Sequence, residues 1–125
     1  MVYAKKYYFY AILFLKKFFG KIFAYFIMCM LDTIQAKRDE IYAVAKKHKA
    51  EMLWVFGSCA RKEETPESDV DLLVKFSSGA SLFDQGGLSH GISQILGRGV
   101  DVVDSTVLSR EPFFSYAVKK DLVAI

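Results

Sequence analysis

The spacing of hydrophobic positions changes several times beyond residue 30, and each pattern predicts one element of secondary structure. Apolar residues within 31–49 recur at helical spacing, and Asp32 is placed to cap this helix. The apolar run 52–56 ends at a glycine and predicts a buried strand, in which Trp54 is expected to pack in the core. The elements that follow are a helical turn at 58–62, a loop at 65–68, a strand at 70–76, a helix at 82–96, a strand at 100–103 and a helix at 111–120.

The last two predicted helices carry residues that affect the prediction. Gly86, Gly87 and Gly91 weaken the first of them, because glycine is a poor helix former. Pro112 stands in the first turn of the final helix, where its missing N–H costs nothing. The apolar stripe expected on that helix consists of Phe113, Tyr116 and Ala117.

The order of helices and strands predicts an α/β (α+β) fold with a small sheet covered by helices on one side. Residues 57–69, which join the first two strands, are barely enough for a crossover. An antiparallel or split arrangement therefore remains open. Residues 31–125 are enough for one domain with one core.

The first thirty residues form a basic, aromatic-rich extension. They hold five lysines and no acid, whereas the remaining 95 residues hold 12 bases and 14 acids. Because the positive charge sits on this extension, it does not argue for nucleic-acid binding by the domain. The charge-free stretches 7–15 and 22–31 fall short of the roughly 18 residues that a membrane-spanning helix requires.

This extension can be interpreted in three ways. A membrane-interfacial helix needs one polar face, but the lysines fall at many angles around a helical wheel. A signal peptide needs an uninterrupted apolar region and a small-residue cleavage site, and both are missing. An unstructured extension, or a mis-assigned start with translation from Met28 or Met30, is favoured, since the composition is typical of adenine- and thymine-rich non-coding sequence.

The cysteines and histidines offer no site of their own. Cys29 and Cys59 have neither metal-ligand spacing nor the density of a disulfide scaffold, which favours reduced thiols in a cytoplasmic protein. Cys59 is interpreted as a small packing residue. His48, expected on a helix surface, and His90 lack a partner in any motif and are assigned no catalytic role.

Two aspartates bracket Val70 at the start of an otherwise apolar strand, where aspartate is disfavoured. Since strand side chains alternate, Asp69 and Asp71 are expected on one face with their Cα atoms about 6.6 Å apart. Two anions this close repel each other. Mg²⁺ accepts one or two carboxylates together with water and phosphate oxygens, so the pair suits a metal–nucleotide site.

Gly57-Ser58 stands ten residues before this pair, directly after a predicted strand. Its backbone N–H groups and the Ser58 hydroxyl are predicted to bind phosphate oxygens, with glycine allowing close approach. Arg61 and Lys62 follow one turn later. Either they add positive charge at a triphosphate or they are simply solvated, and Arg61 is kept as a candidate nucleotide-binding residue.

A third carboxylate, Asp101, lies in the apolar strand at 100–103. Three convergent carboxylates bind two metal ions, so Asp101 is a candidate catalytic metal ligand, or alternatively a general base. Asp104 faces the other way on a regular strand and is predicted to cap the turn at Ser105-Thr106.

Segments 55–61, 68–74 and 96–103 carry the Gly-Ser motif, the ten-residue spacing to Asp-x-Asp and the third aspartate. This pattern, which is specific and extends over residues 31–125, resembles the minimal nucleotidyltransferases of the polymerase β superfamily. The resemblance implies a small mixed β-sheet with helices packed mainly on one face, and ATP and magnesium as cofactors. It also implies Gly57 and Ser58 at the triphosphate, and Asp69, Asp71 and Asp101 as the metal triad.

Proteins of this kind are commonly antitoxins paired with a HEPN-domain ribonuclease toxin, which they silence by transferring AMP to one of its tyrosines. The resemblance therefore implies magnesium-dependent AMP transfer from ATP to a toxin hydroxyl. Cys59 in the Gly-Ser loop and the extension at 1–30 depart from the family pattern. The lack of an added substrate domain favours a protein acceptor. Two alternatives stay open, namely a non-catalytic antitoxin that masks its toxin and an enzyme acting on a small molecule or nucleic acid.

Overall fold

A computed structural model describes residues 29–125, and the expectations for the segment before Cys29 lie outside the described residues. The helices are α1 Met30–Ala36, α2 Arg38–Lys47, α3 Gly57–Ala60, α4 Leu82–Leu96, α5 Val107–Arg110 and α6 Pro112–Lys119. The strands are β1 Ala50–Phe56, β2 Val70–Phe76, β3 Val100–Asp104 and β4 Val123–Ala124. None of the helices within this described range is both long enough and apolar enough to cross a bilayer.

The four strands form one sheet in the order β3-β2-β1-β4. β1 pairs antiparallel with both β2 and β4, whereas β2 pairs parallel with β3. Residues 57–69, which include α3, therefore reverse the chain between β1 and β2 without a crossover. Helix α4 supplies the crossover that parallel pairing of β2 and β3 requires. The predicted small mixed sheet is confirmed.

The main core lies on one face of this sheet. Alternate residues of β2, namely Val70, Leu72 and Val74, are fully buried there, because helices α1, α2 and α4 cover that face. The corresponding helix residues with no exposed surface are Ile34, Ile41, Ala45, Leu88 and Ile92. The expectation that the helices pack mainly on one face is confirmed.

The opposite face carries two rows of register partners. Phe56, Asp71 and Asp101 form the row nearest the end of β1, and Trp54, Leu73 and Val103 form the next row. Helix α6 lies on this face, since the ring of Phe114 meets that of Phe56 edge-on with 6.0 Å between centroids. Trp54 therefore lies on the same face as the carboxylates and not in the main core, contrary to the sequence prediction.

The predicted helix at 31–49 is two helices that meet at Lys37, whose N–H donates to the carbonyls of both Thr33 and Ile34. Asp32 does not cap α1, because Cys29 holds the N-cap position. Asp32 instead accepts a hydrogen bond from the Cys29 thiol at 3.0 Å.

Helix α4 spans its predicted range despite its three glycines. Two of them face α2, where a Cβ on Gly91 would come within 2.6 Å of Val44 Cγ1 and one on Gly87 would overlap the His48 ring. These glycines let the two helices approach closely, and that packing offsets their low helix propensity. His48 is consequently half-buried, 3.9 Å from Asp84, and not a freely exposed surface residue.

The predicted apolar stripe of the last helix is wrong. Phe113 and Tyr116 are 94% and 80% exposed, whereas Ser115 and Val118 are buried. The helix presents its Phe114 side to the sheet, and the sequence spacing allowed either choice of face. Helix α5 and strand β4 were not predicted, because each is shorter than a periodicity can reveal.

Candidate active site

The turn that ends β1 depends on Gly57. Its φ of +73° lies in the left-handed region, which a residue with a Cβ adopts only at a cost. A Cβ at this position would also lie 2.6 Å from Asp71 Oδ2. Gly57 therefore makes the turn into α3 and at the same time leaves room for a carboxylate of the neighbouring strand.

Helix α3 is a single turn, closed by a 3.2 Å hydrogen bond from the Arg61 N–H to the Gly57 carbonyl. The Glu63 N–H donates to the Ser58 carbonyl at 2.9 Å, which continues the turn into the next loop. Ser58 thus stands at the start of a short helical turn beside β2, as the sequence predicted. Its proposed contact with phosphate stays a prediction.

The three predicted aspartates lie at neighbouring positions on the sheet. Asp71 and Asp101 are register partners on the parallel strands β2 and β3, and Asp69 immediately precedes β2. Asp69 and Asp101 are exposed, whereas Asp71 is partly buried. The parallel pairing brings together two residues that are thirty positions apart in the chain.

The pKa of the Asp71 carboxyl is raised above its ordinary value. Burial is the main cause, followed by the negative charges of Asp101 and Asp69, while the Arg61 guanidinium opposes the shift. The carboxylates are therefore close enough to repel one another. A divalent cation between them would relieve this repulsion.

The donor set fits magnesium in its chemistry. Within residues 29–125, no three His, Cys, Asp or Glu side chains form a ready-made cation cage. Magnesium does not require one, because it is commonly held by one or two carboxylates, with water and substrate phosphates completing its octahedron. Asp71 and Asp101 provide adjacent hard oxygen donors, Asp69 provides a third, and the missing side chain of Gly57 leaves room for the Asp71 carboxylate.

Arg61 occupies a different environment from the one its motif position suggested. Its Nη1 lies 2.7 Å from Asp121 Oδ2 and its Nε 3.0 Å from Glu63 Oε2, so it ties the turn after β1 to the segment after α6. Lys62 lies 4.0 Å from Asp32. Both side chains are partly exposed, and nucleotide binding by Arg61 stays a prediction.

Cys59 packs beneath the site. It is 1% exposed, and its thiol donates to the Asp69 carbonyl across 3.7 Å. Burial, reinforced by the charge of Glu64, raises the pKa of this thiol to about 11. These observations agree with the interpretation of Cys59 as a packing residue. Asp104 also behaves as predicted, because its Oδ1 accepts the Thr106 N–H at 3.0 Å.

The sequence interpretation missed Arg98 and Gly99. Arg98 Nη1 donates to the carbonyls of Thr65 and Ser68 at 2.8 and 3.2 Å, and the Gly99 carbonyl accepts the Val70 N–H at 2.9 Å. A charged residue between two glycines, just before the strand of the third aspartate, was the available signal. Its partners lie about thirty residues away and emerge only in the folded chain.

Comparisons with known proteins identify the family of the chain. The family model described as "Polymerase beta, Nucleotidyltransferase" matches residues 39–124. A protein of Methanocaldococcus jannaschii named "Putative protein adenylyltransferase" is 39% identical over 66 residues, which cover 53% of this chain and 71% of that protein.

Solved structures extend the comparison to the fold. A structure named as that of a "putative minimal nucleotidyltransferase" shares 34% identity with a TM-score of 0.66, covering 76% of this chain and 95% of that one. A structure of a tri-AMPylated Shewanella oneidensis HEPN toxin in complex with an MNT antitoxin matches at 18% identity with a TM-score of 0.53, covering 72% and 69%. The second similarity supports the fold alone. The chain belongs to the polymerase β nucleotidyltransferase family and is one of its minimal nucleotidyltransferases.

Proposed function

We propose that this nucleotidyltransferase transfers AMP from magnesium-bound ATP to a hydroxyl group of a partner protein. The observation that carries the proposal is the pairing of Asp71 with Asp101 directly beside the Gly57 turn. This arrangement brings metal-binding oxygens next to the Gly-Ser turn at the same end of the sheet.

In the proposed reaction the acceptor oxygen attacks the α-phosphorus of ATP. The bond between that phosphorus and the bridging oxygen breaks, and pyrophosphate leaves with the bonding electron pair. In this reaction Gly57 and Ser58 hold the triphosphate, and the exposed Asp101 accepts the hydroxyl proton. Magnesium ions, held by Asp69, Asp71 and Asp101, would neutralise charge on the phosphates.

The acceptor is proposed to be a tyrosine of a HEPN-family toxin, which makes the chain an antitoxin. The name of the M. jannaschii relative supports a protein acceptor, and the choice of a toxin is made by analogy with the S. oneidensis complex, which shares the fold. The described domain consists of one sheet and its helices, and this size favours an acceptor presented by a partner.

The test is transfer of label from [α-³²P]ATP to a HEPN toxin encoded beside this chain and co-expressed with it. Wild-type chain with Mg²⁺ is expected to label the toxin, with the label on tyrosine. The Asp69→Asn, Asp71→Asn double variant is expected to lose at least about 100-fold in rate, since both changes remove charge from the metal site. An unlabelled toxin under conditions where the pair forms a complex would overturn the proposal.

The same variant separates catalysis from simple masking of the toxin. Cells expressing the toxin are expected to lose protection when the double variant replaces the wild type at equal abundance. If the variant still protects, binding alone neutralises the toxin. Labelling of RNA or of a small hydroxylated compound in place of the toxin would indicate a different acceptor.

A further inference from the structure

Arg98 and Gly99 link the strand that carries Asp101 to the loop that carries Asp69. They come just before β3, which carries Asp101, and they also hold the loop that leads into Asp69. Arg98 Nη1 donates to the carbonyls of Thr65 and Ser68, and the Gly99 carbonyl accepts the N–H of the residue after Asp69. One dipeptide therefore fixes the backbone on both sides of Asp69.

Gly99 also contacts the Asp69 side chain. A Cβ on Gly99 would overlap Asp69 Oδ1 and come within 3.1 Å of its Cγ. Unlike Gly57, Gly99 does not have a positive φ, so its backbone conformation does not itself require glycine. The three atoms nearest to that Cβ all belong to the Asp69 carboxylate. The absence of a side chain at Gly99 thus has one evident local effect, which is to leave room for this carboxylate.

The Asp69 carboxylate has little else to hold it. It is exposed, and no hydrogen bond or ion pair from another residue in the described range fixes its side-chain oxygens. Its position beside Asp71 then depends on the backbone of residues 68–70 and on the surface formed by Gly99. Metal sites need such supporting contacts, because a misplaced ligand weakens metal binding.

We propose that Arg98 and Gly99 are positioning residues, which set the Asp69 carboxylate beside the Asp71–Asp101 pair for binding of a metal–nucleotide complex. Arg98 holds the loop before Asp69 through hydrogen bonds to two carbonyls, and Gly99, which has no side chain, leaves room for the Asp69 carboxylate. This inference rests on the proposed function for its choice of ligand. The contacts themselves belong to the chain without any ligand.

The test measures binding of Mg²⁺ with the α,β-methylene analogue of ATP to the full chain by titration calorimetry, beside thermal unfolding without ligand. Gly99→Ala is expected to weaken binding about 10- to 100-fold, the range typical of residues that orient metal ligands. Its unfolding temperature is expected to stay near that of the wild type, since the displaced group is the exposed end of a side chain.

Arg98→Ala is expected to weaken binding to a similar extent, and Arg98→Lys to recover part of the loss, because an ammonium group still donates to carbonyls. Arg110→Ala is the matched control, since Arg110 is exposed on α5 and donates to Thr106 Oγ1. In an Asp69→Ala background, Gly99→Ala is expected to have no further effect on binding. A merely structural role for Gly99 would not produce this dependence on Asp69.

The outcomes separate this inference from the proposed function. If the wild type binds the analogue but transfers no AMP to the toxin, the proposed function fails. The binding measurements on the Gly99 and Arg98 variants then still test the positioning role. If Gly99→Ala and Arg98→Ala bind as tightly as the wild type, the positioning role is overturned. If the wild type does not bind the analogue at all, both proposals are overturned.

Discussion

Asp71 on β2 and Asp101 on β3 are register partners on neighbouring parallel strands, so their like charges lie side by side on one face of the sheet. Like charges opposite each other destabilise a sheet. Burial is the main cause of the raised pKa of Asp71, and the negative charges of Asp101 and Asp69 add to it. We expect the pair to cost stability in the free protein and to be compensated when a divalent cation binds.

Asp71→Asn is therefore expected to raise the stability of the metal-free protein at neutral pH, while abolishing nucleotidyl transfer. The folded-state pKa of Asp71 lies above its unfolded value, so the folded wild type binds the proton more readily. The stability penalty is fully present above the folded pKa and disappears as the pH falls towards 3.8, the ordinary value.

Denaturant unfolding of both proteins at a series of pH values, with EDTA, checks this prediction. The stability advantage of the variant should shrink as the pH is lowered through the folded pKa of Asp71. Added Mg²⁺ should stabilise the wild type more than the variant. An advantage that does not change with pH would show that charge is not its cause.

Gly57→Ala and Gly97→Ala form a matched pair. Both glycines have positive φ, at +73° and +67°, so alanine is expected to cost about 1–2 kcal/mol of stability at each. A Cβ on Gly57 would also meet Asp71 Oδ2 at 2.6 Å, whereas one on Gly97 would meet nothing within 4 Å. Only Gly57→Ala should abolish AMP transfer, as measured on variants confirmed to be folded. Equal activity of the two variants would contradict a role for the Gly57 opening.

The sequence predicted β2 and α4 at their observed bounds because local patterns determine both. The apolar run of β2 is closed by a polar turn, and α4 begins at the Ser81–Asp84 capping box, where the Ser81 N–H donates to Asp84 Oδ2 at 2.9 Å. The aspartates of the site were likewise predicted, because charges in an apolar strand are conspicuous.

What the sequence did not predict depends on tertiary contacts. The face of α6 is set by packing of Phe114 on Phe56, and either side of that helix offered apolar residues. The role of Arg98 depends on carbonyls about thirty residues earlier in the chain. The ion pair between Arg61 and Asp121 similarly joins the turn after β1 to the segment after α6, and no periodicity in the sequence predicts this pair.

The glycines of α4 have opposite expected effects on stability. Gly86→Ala should stabilise the protein by about 0.5–1 kcal/mol, because a Cβ there meets nothing within 4 Å and alanine favours the helix. Gly91→Ala should destabilise it by about 1–3 kcal/mol, because its Cβ would approach Val44 Cγ1 at 2.6 Å. Chemical denaturation of both variants provides the measurement. A stabilising Gly91→Ala would mean that α2 and α4 separate without cost.

The two cysteines should differ sharply in their reaction with a thiol reagent. Cys59 is 1% exposed and its pKa is raised to about 11, so at pH 8 only about one thiol in a thousand is ionised, and that group is shielded from solvent. Cys29 is only partly buried, although burial and Asp32 also raise its pKa.

In the native Cys29→Ser variant, DTNB at pH 8 should therefore react slowly, at a rate limited by opening of the structure. The same variant should react at once in denaturant. Cys59→Ser provides the reverse control, because its remaining thiol should react in the native protein. Fast native-state labelling of Cys29→Ser would show that the region beneath Asp69 opens to solvent more readily than its packing implies.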